Sequence, residues 1–332
     1  MLLLCRIIKH SQMKKIKIIS STLFVIVISC FIPSCSSTID ISNYPSPSFT
    51  KETKPLNNEV AFSLSIIETG YAQTREAFVY EGGSLFKKRR LSHVSILIQH
   101  PKGTFVFDTG LGSEIEGQFH DNFSFLDRQF FKFTKTSSLR ETLTKNEFNP
   151  DDVDFIIPTH LHYDHAGGIE DFPKAEVWTT KAEYDHAFDE AASSSAFIKS
   201  QYDADFIQWK FMDFDSIPYE IFQESYDVFK DGTVVLVKLP GHTKGSIGMF
   251  VNLQSGKRYF FTGDLTWAVE AFSSLSEKHA VPRKKVDGDR EQVKETIVMM
   301  HHLMQEKPTL HIVPAHDYNA QKNIARFPEV EW

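Results

Sequence analysis

From Val60 onward the chain alternates between short apolar runs and longer amphipathic stretches. The runs that read as β-strands are Val60–Ile67, Val94–Gln99, Thr104–Phe107, Asp154–Pro158, Val177–Thr179, Val234–Leu239, Ile247–Asn252, Arg258–Thr262 and Leu310–Pro314. Several are apolar at nearly every position, as strands covered on both faces are. Between them, Ser138–Asn146 and Thr180–Asp189 each begin on a helix-capping hydroxyl. Asp289–Glu306 sets Val293, Ile297, Met300 and Met304 on one stripe of a helix. Strands that come first as hairpins and later alternate with helices predict a layered α/β domain with two sheets inside. No internal repeat and no linker-like break interrupts residues 59–332, which read as one domain.

The N-terminal pattern is different. Lys14, Lys15 and Lys17 precede an apolar run from Ile18 to Ile32, followed by Pro33-Ser34-Cys35. A basic start, a short apolar stretch and a small residue describe a secretory signal peptide over residues 1–35, with Met13 as an alternative start. A Cys directly after it resembles a bacterial lipobox, whose thiol carries a lipid; Val27-Ile28-Ser29-Cys30 is a second candidate but would cut inside the apolar run. The run is short for a spanning helix, which needs about 20 apolar residues. The expectation is an exported lipoprotein, anchored in a membrane through Cys35 and facing the periplasm or the cell surface. Residues 36–58, rich in Ser, Pro, Thr and Asn, read as a flexible tether.

Composition narrows the function classes. Hydrophobic residues make up 41% and charged residues 24%, the range of ordinary globular proteins. With 36 Lys+Arg against 43 Asp+Glu the net charge is −7, which argues against a nucleic-acid partner held on a broad basic surface. Lys87-Lys88-Arg89-Arg90 reads as a solvated hairpin end. Phe119, Phe123, Phe125, Phe130, Phe131 and Phe133 crowd residues 117–136, as an aromatic cover over a pocket, a dimer contact, or simple packing on the core.

All three cysteines, Cys5, Cys30 and Cys35, precede the domain, so a metal site within it must use His, Asp and Glu. The decisive stretch is His160-Leu161-His162-Tyr163-Asp164-His165-Ala166-Gly167-Gly168, directly after an apolar strand. Neutral imidazoles crowded in this way gain only when a cation shares their lone pairs. Three further strands end in a metal-competent side chain: His242 after Pro240-Gly241, Asp264 after Gly263, and His316 after Ala315. Ligands on loops at strand ends can converge while a sheet fixes their positions.

The HxHxDH motif with the later Gly-His-Thr, Gly-Asp and Ala-His resembles the metallo-β-lactamase fold superfamily of metal-dependent hydrolases, over about Val60 to the C-terminus. The resemblance implies an αββα sandwich with two mixed sheets flanked by helices. It assigns His160, His162 and His242 to one metal and Asp164, His165 and His316 to a second, bridged by Asp264. Asp108, in Phe107-Asp108-Thr109-Gly110, is the candidate for orienting a ligand imidazole. Two Zn²⁺ are the implied cofactors, with Fe or Mn as alternatives.

Within the superfamily the motifs are most similar to the N-acyl-homoserine-lactone lactonase and organophosphate hydrolase branch. That likeness implies a small ester or lactone substrate, opened by a hydroxide shared between the metals, with Asp164 and Asp264 as the catalytic carboxylates. Lactonases of the best-known kind carry a Tyr three residues after the bridging Asp. This chain has Trp267, whose N–H donates a hydrogen bond but gives up no proton readily; Trp267 is expected to line the substrate pocket. The competing readings are a phosphotriester or aryl-ester hydrolase, a glyoxalase II-like thioesterase and a non-catalytic metal-binding lipoprotein.

Overall fold

Strands buried on both faces build the domain, successive residues facing opposite cores. In the computed structural model, which describes residues 38–49, 60–189 and 196–332, β1 (Ser63–Arg75), β2 (Lys88–His100), β3 (Gly103–Phe107), β4 (Thr134–Lys135), β5 (Phe155–Ile157), β6 (Glu176–Thr179) and β7 (Gln208–Phe211) form a seven-stranded sheet in the order β4-β1-β2-β3-β5-β6-β7. A five-stranded sheet in the order β12-β11-β10-β9-β8 contains β8 (Ser225–Asp227), β9 (Val234–Lys238), β10 (Ile247–Asn252), β11 (Arg258–Phe261) and β12 (Leu310–Val313). Phe105, Phe107, Phe155 and Ile157 of the first sheet meet Val234, Leu236, Met249, Val251 and Phe261 of the second in one buried cluster. The alternate residues face outward: Val106, Ile156 and Val177 pack with Leu139, Leu143 and Ala187, while Val235, Val237, Phe250 and Phe260 pack with Val293, Ile297, Met300 and Leu303. These last residues lie on the helices Leu139–Lys145, Lys181–Phe188 and Arg290–Glu306, so the expected layering of helix, sheet, sheet and helix is what forms. Each apolar side chain buried this way stabilises by roughly 1.5–3 kcal/mol relative to exposure.

The helix starts follow their caps. Ser138 and Glu141 form a reciprocal capping box, Thr180 accepts from the N–H of Glu183, and Asp289 accepts from Glu291 and Gln292. Among the described residues no helix is long and apolar enough to cross a membrane.

Strand direction carries ligands to a common edge. β9 and β11 each run antiparallel to β10, and β12 runs parallel to β11, so β9, β11 and β12 share one direction. In the other sheet β3 and β5 are parallel. The loops that follow β5, β9, β11 and β12 carry His160–His165, His242, Asp264 and His316 respectively.

Three expectations need correction. The predicted strands Val60–Ile67 and Val94–Gln99 are the apolar halves of a long ribbon that continues through Tyr71↔Ser92 to Arg75↔Lys88. That outer half has no apolar alternation; cross-strand contacts such as the Arg90 guanidinium 3.8 Å above the Tyr71 ring hold it instead. The basic run does sit at the hairpin end with Lys87 and Lys88 exposed, but Arg89 is buried within β2. Finally, the domain begins before residue 59. Of the predicted tether, residues 38–49 lie on the domain: Ile39 is buried and donates its N–H to the Leu275 carbonyl (2.8 Å), and Ile41, Tyr44 and Phe49 pack against the same cluster. Sparse apolar positions within a Ser/Pro-rich stretch suffice for that contact. The predicted signal peptide and residues 36–37 and 50–58 fall outside the described residues.

Two buried ionisable side chains brace the functional edge. Arg89 donates through both terminal nitrogens to Glu270 (2.7 and 2.8 Å) and reaches Asp317 (3.2 Å), next to His316. Glu183 accepts from the Leu161 N–H (2.8 Å), the Thr243 hydroxyl (2.6 Å) and the Gly245 N–H (3.1 Å), so one carboxyl bolts the loop after β5 to the loop after β9. Gly245 permits this approach, since a Cβ there would fall 2.2 Å from the Glu183 nitrogen.

Replacing Arg89 by Met strands Glu270 and Asp317 without their fork, and should lower the unfolding free energy by about 3 kcal/mol in a denaturant titration; a loss within a few tenths would show the fork to be idle. Burial pushes the Glu183 carboxyl up to about 7 from an ordinary 4.5. The native state therefore holds a proton that the unfolded chain has released, and the stability present below pH 4.5 is lost as pH rises through 7. Between those pH values, at matched metal content, wild type should lose on the order of 3 kcal/mol relative to Glu183→Gln. Parallel pH–stability curves would contradict this.

Candidate metal centre

The loop after β5 turns back on itself at Gly167, where a Cβ would lie 2.6 Å from both the Gly110 and Tyr163 carbonyl oxygens. That closeness holds His160, His162, Asp164 and His165 on one small arc, all buried. His242 joins them from the loop after β9. The His160 Nε2, His162 Nδ1 and His242 Nε2 atoms stand 3.0–3.1 Å from one another, a triangle of ring nitrogens facing a common point.

Beside this triangle lies a mixed cluster. The Asp264 Oδ1 is 3.3 Å from the His165 Nε2 and 3.0 Å from the His316 Nε2; the Asp164 Oδ2 is 3.4 Å from the His316 Nε2. Asp264 faces both groups, its Oδ2 being 3.7 Å from the His242 Nε2. All seven residues singled out by motif are thus brought together.

Most of the rings are held by their outward nitrogen, which turns the inward one toward the centre. The His165 Nδ1 meets the Asp108 Oδ2 at 2.8 Å, the His316 Nδ1 meets the Ser92 carbonyl at 2.7 Å, and the His242 Nδ1 meets the Asp287 Oδ1 at 2.7 Å. The Thr159 hydroxyl lies 2.9 Å from the His160 Nδ1. Asp108 is itself pinned by the Thr159 N–H (2.6 Å) at a positive φ of 60°, a conformation Asp tolerates better than most residues. Asp108 thus meets the His165 ring at the nitrogen that faces away from the other ligand-competent side chains.

The electrostatics divide the two groups. Burial and mutual repulsion push His160 and His162 down, and burial with the neighbouring Lys278 ammonium pushes His242 down, so these three are neutral donors. Burial also opposes charge on His165, yet the Asp108, Asp264 and Asp164 carboxylates overcome it and hold its pKa well up; His316 is raised in the same way by Asp264 and Asp164. Against burial, the surrounding imidazoles hold Asp164 and Asp264 well below the usual carboxylate range. Unbonded buried atoms at the centre, His165 Nε2 and Asp264 Oδ1, fit a divalent cation, as does an all-imidazole and carboxylate donor set.

Four participants lay beyond the sequence reasoning. Glu183 braces the two loops. Asp287 holds His242 and is in turn met by the fully buried Lys278 ammonium at 2.6 Å. His93, on β2, brings its Nδ1 to 3.0 Å from the Asp164 Oδ2. The signal for His93 was present as polar Ser92 and His93 directly before the strand run Val94–Gln99; Lys278 and Asp287 sit in no recognisable pattern.

A cavity of about 680 Å³ opens onto Asp164 and His316. Its walls include Tyr71, Phe78 and Leu91 from the ribbon region, and Phe130, Phe131 and Phe133 from the aromatic stretch. That stretch therefore does two jobs, since Phe119 is buried in a separate small core while its neighbours face the cavity. Trp267 lines the cavity and also donates its indole N–H to the Asp264 Oδ2 at 2.9 Å.

Comparison with known proteins agrees with the geometry. The chain is 27% identical over 237 residues to N-acyl homoserine lactonase AttM of Rhizobium radiobacter, covering 70% of this chain and 84% of that protein. It is 25% identical over 237 residues to N-acyl homoserine lactonase AiiA of Bacillus thuringiensis subsp. kurstaki, with the same coverage. Among solved structures, an N-acyl homoserine lactone hydrolase with N-hexanoyl-L-homoserine at its catalytic metal centre superposes with a TM-score of 0.62 at 20% identity, covering 82% of this chain and 99% of that one. The dizinc quorum-quenching lactonase AidC superposes with a TM-score of 0.52 at 15% identity, covering 86% and 93%. Residues 89–309 match the family model described as the metallo-beta-lactamase superfamily, and with the paired sheets and the strand-end His/Asp set already in place, the chain belongs to that superfamily.

Proposed function

We propose that this chain is a dinuclear-metal hydrolase of lactone or ester bonds, with an N-acyl homoserine lactone as its favoured substrate class. The observation that carries the reading is the convergence of seven buried imidazole and carboxylate side chains at the inner end of a cavity with aromatic walls. His160, His162 and His242 would hold one cation, Asp164, His165 and His316 the other, with Asp264 between them, and zinc suits this donor set. Two bound cations would supply an ionised water near neutral pH and a Lewis acid for the substrate carbonyl.

The chain's own residues do the rest. Asp164 stays ionised and borders the cavity, so its carboxylate can orient the attacking water and take its proton. The Trp267 N–H, spent on Asp264, fixes that carboxylate rather than serving a leaving group. Phe130, Phe131 and Phe133 exclude water and offer an apolar wall to an acyl chain. The lactonase relatives support this substrate class.

Trp267 also favours a second reading. With no proton given from that position, substrates with good leaving groups, such as aryl esters and phosphotriesters, would lose least. As for location, the Lys14–Lys17 start, the apolar run and Cys35 support an exported, lipid-anchored protein.

A kinetic screen of short- and long-chain N-acyl homoserine lactones, aryl esters and paraoxon-type triesters tests the reading. The long-chain lactone should lead in kcat/KM by about tenfold or more, and Asp164→Asn, still folded, should lose at least about 100-fold in turnover. A triester in the lead would favour the second reading, and equal, feeble rates on all would contradict both.

A further inference from the structure

His93 belongs to none of the motifs above, yet it lies inside the centre. It sits on β2 opposite Gly70, just past the point where the β1–β2 register slips between Glu68 and Gly70. Such slips re-aim the side chains beside them. Its ring is buried, edge-on to His316 with centroids 5.1 Å apart at 77°, nearly the relation of His165 to His316 (5.3 Å, 77°).

The contact with Asp164 is unusual in kind. The His93 Nδ1 is 3.0 Å from the Asp164 Oδ2, which is hydrogen-bond range, but the pair is not aligned as a hydrogen bond and the nitrogen is left without a partner. The His165 Nε2 shows the same combination with the Asp264 Oδ1: 3.3 Å apart and unbonded. Close, misaligned donor atoms are what two ligands show when both lone pairs aim at a third point. His93 also shares a signature with His162, whose Nδ1 faces the three-imidazole group while its buried Nε2 has no partner. One ligand atom each from His93, Asp164 and His316 lie within 4.8 Å of one another, the same closeness as in the triad His160, His162 and His242.

We propose that His93 is a ligand of the second cation, acting through Nδ1. The inference rests on the two-cation centre proposed above and on nothing about the substrate. It raises the protein donors to that cation from Asp164, His165, His316 and Asp264 to include a third imidazole. The second position is then richer than four-coordinate and better suited to cations that accept five or six ligands, whereas the three-imidazole position keeps the more open shell.

Metal binding reads this without reference to turnover. Purified wild type, His93→Ala and His93→Asn, each confirmed folded by circular dichroism, are titrated with Zn²⁺ and separately loaded with Co²⁺ for visible absorption. Wild type should take up two cations. His93→Ala should keep the first affinity, lose the second by tenfold or more, and show stronger Co²⁺ d–d bands as the coordination number falls. His93→Asn, whose Oδ1 can stand near the Nδ1 position, should recover part of the second affinity. Unchanged second affinity and unchanged Co²⁺ bands in both variants would overturn the assignment, even if turnover fell. If wild type itself binds fewer than two cations, the two-cation reading fails and His93 falls with it.

Discussion

The structure turns on a single electrostatic constraint: imidazoles and carboxylates buried within van der Waals reach of one another at the edge of two packed sheets. Three nitrogens of neutral rings stand about 3 Å apart at a depth that water does not reach, more acceptor capacity than their own protons can satisfy. Beside them, ionised carboxylates and protonated imidazoles neutralise one another. Divalent cations resolve both halves at once, joining the lone pairs of the first group and displacing the protons of the second.

Everything around the centre serves to keep those groups from relaxing apart. Asp108, Ser92, Asp287 and Thr159 each engage the far nitrogen of a ring, which fixes its tilt and tautomer. Behind them, Glu183 joins two ligand loops, Arg89 joins the ribbon to the segment after His316, and Lys278 neutralises Asp287. These are buried ionisable groups whose partners are fixed by the fold, so each holds a ligand loop in place as well as contributing to stability.

Where the sequence was legible, the reason is locality. His160, His162, Asp164 and His165 sit within six positions, and His242, Asp264 and His316 each follow an apolar strand directly, so strand direction alone predicts their convergence. The two-sheet layering is written in the short, nearly all-apolar runs, and the three anticipated helices in their caps. What escaped depends on long-range partners. The outer ribbon of β1 and β2 is polar on both faces and is a strand only because each half pairs with the other. Arg89 looked like one cation in a basic run because Glu270 and Asp317, which bury it, lie far along the chain. Ile39 and its neighbours read as tether because four scattered apolar residues carry no period.

The central claim is that the seven side chains form one centre for two cations. Anomalous diffraction from zinc-loaded crystals, recorded on both sides of the zinc edge, tests it directly. The account predicts two peaks about 3.5–4 Å apart, one among His160, His162 and His242, the other among Asp164, His165 and His316, with Asp264 between them. A single peak, or zinc held elsewhere with these side chains turned away from one another, would contradict it.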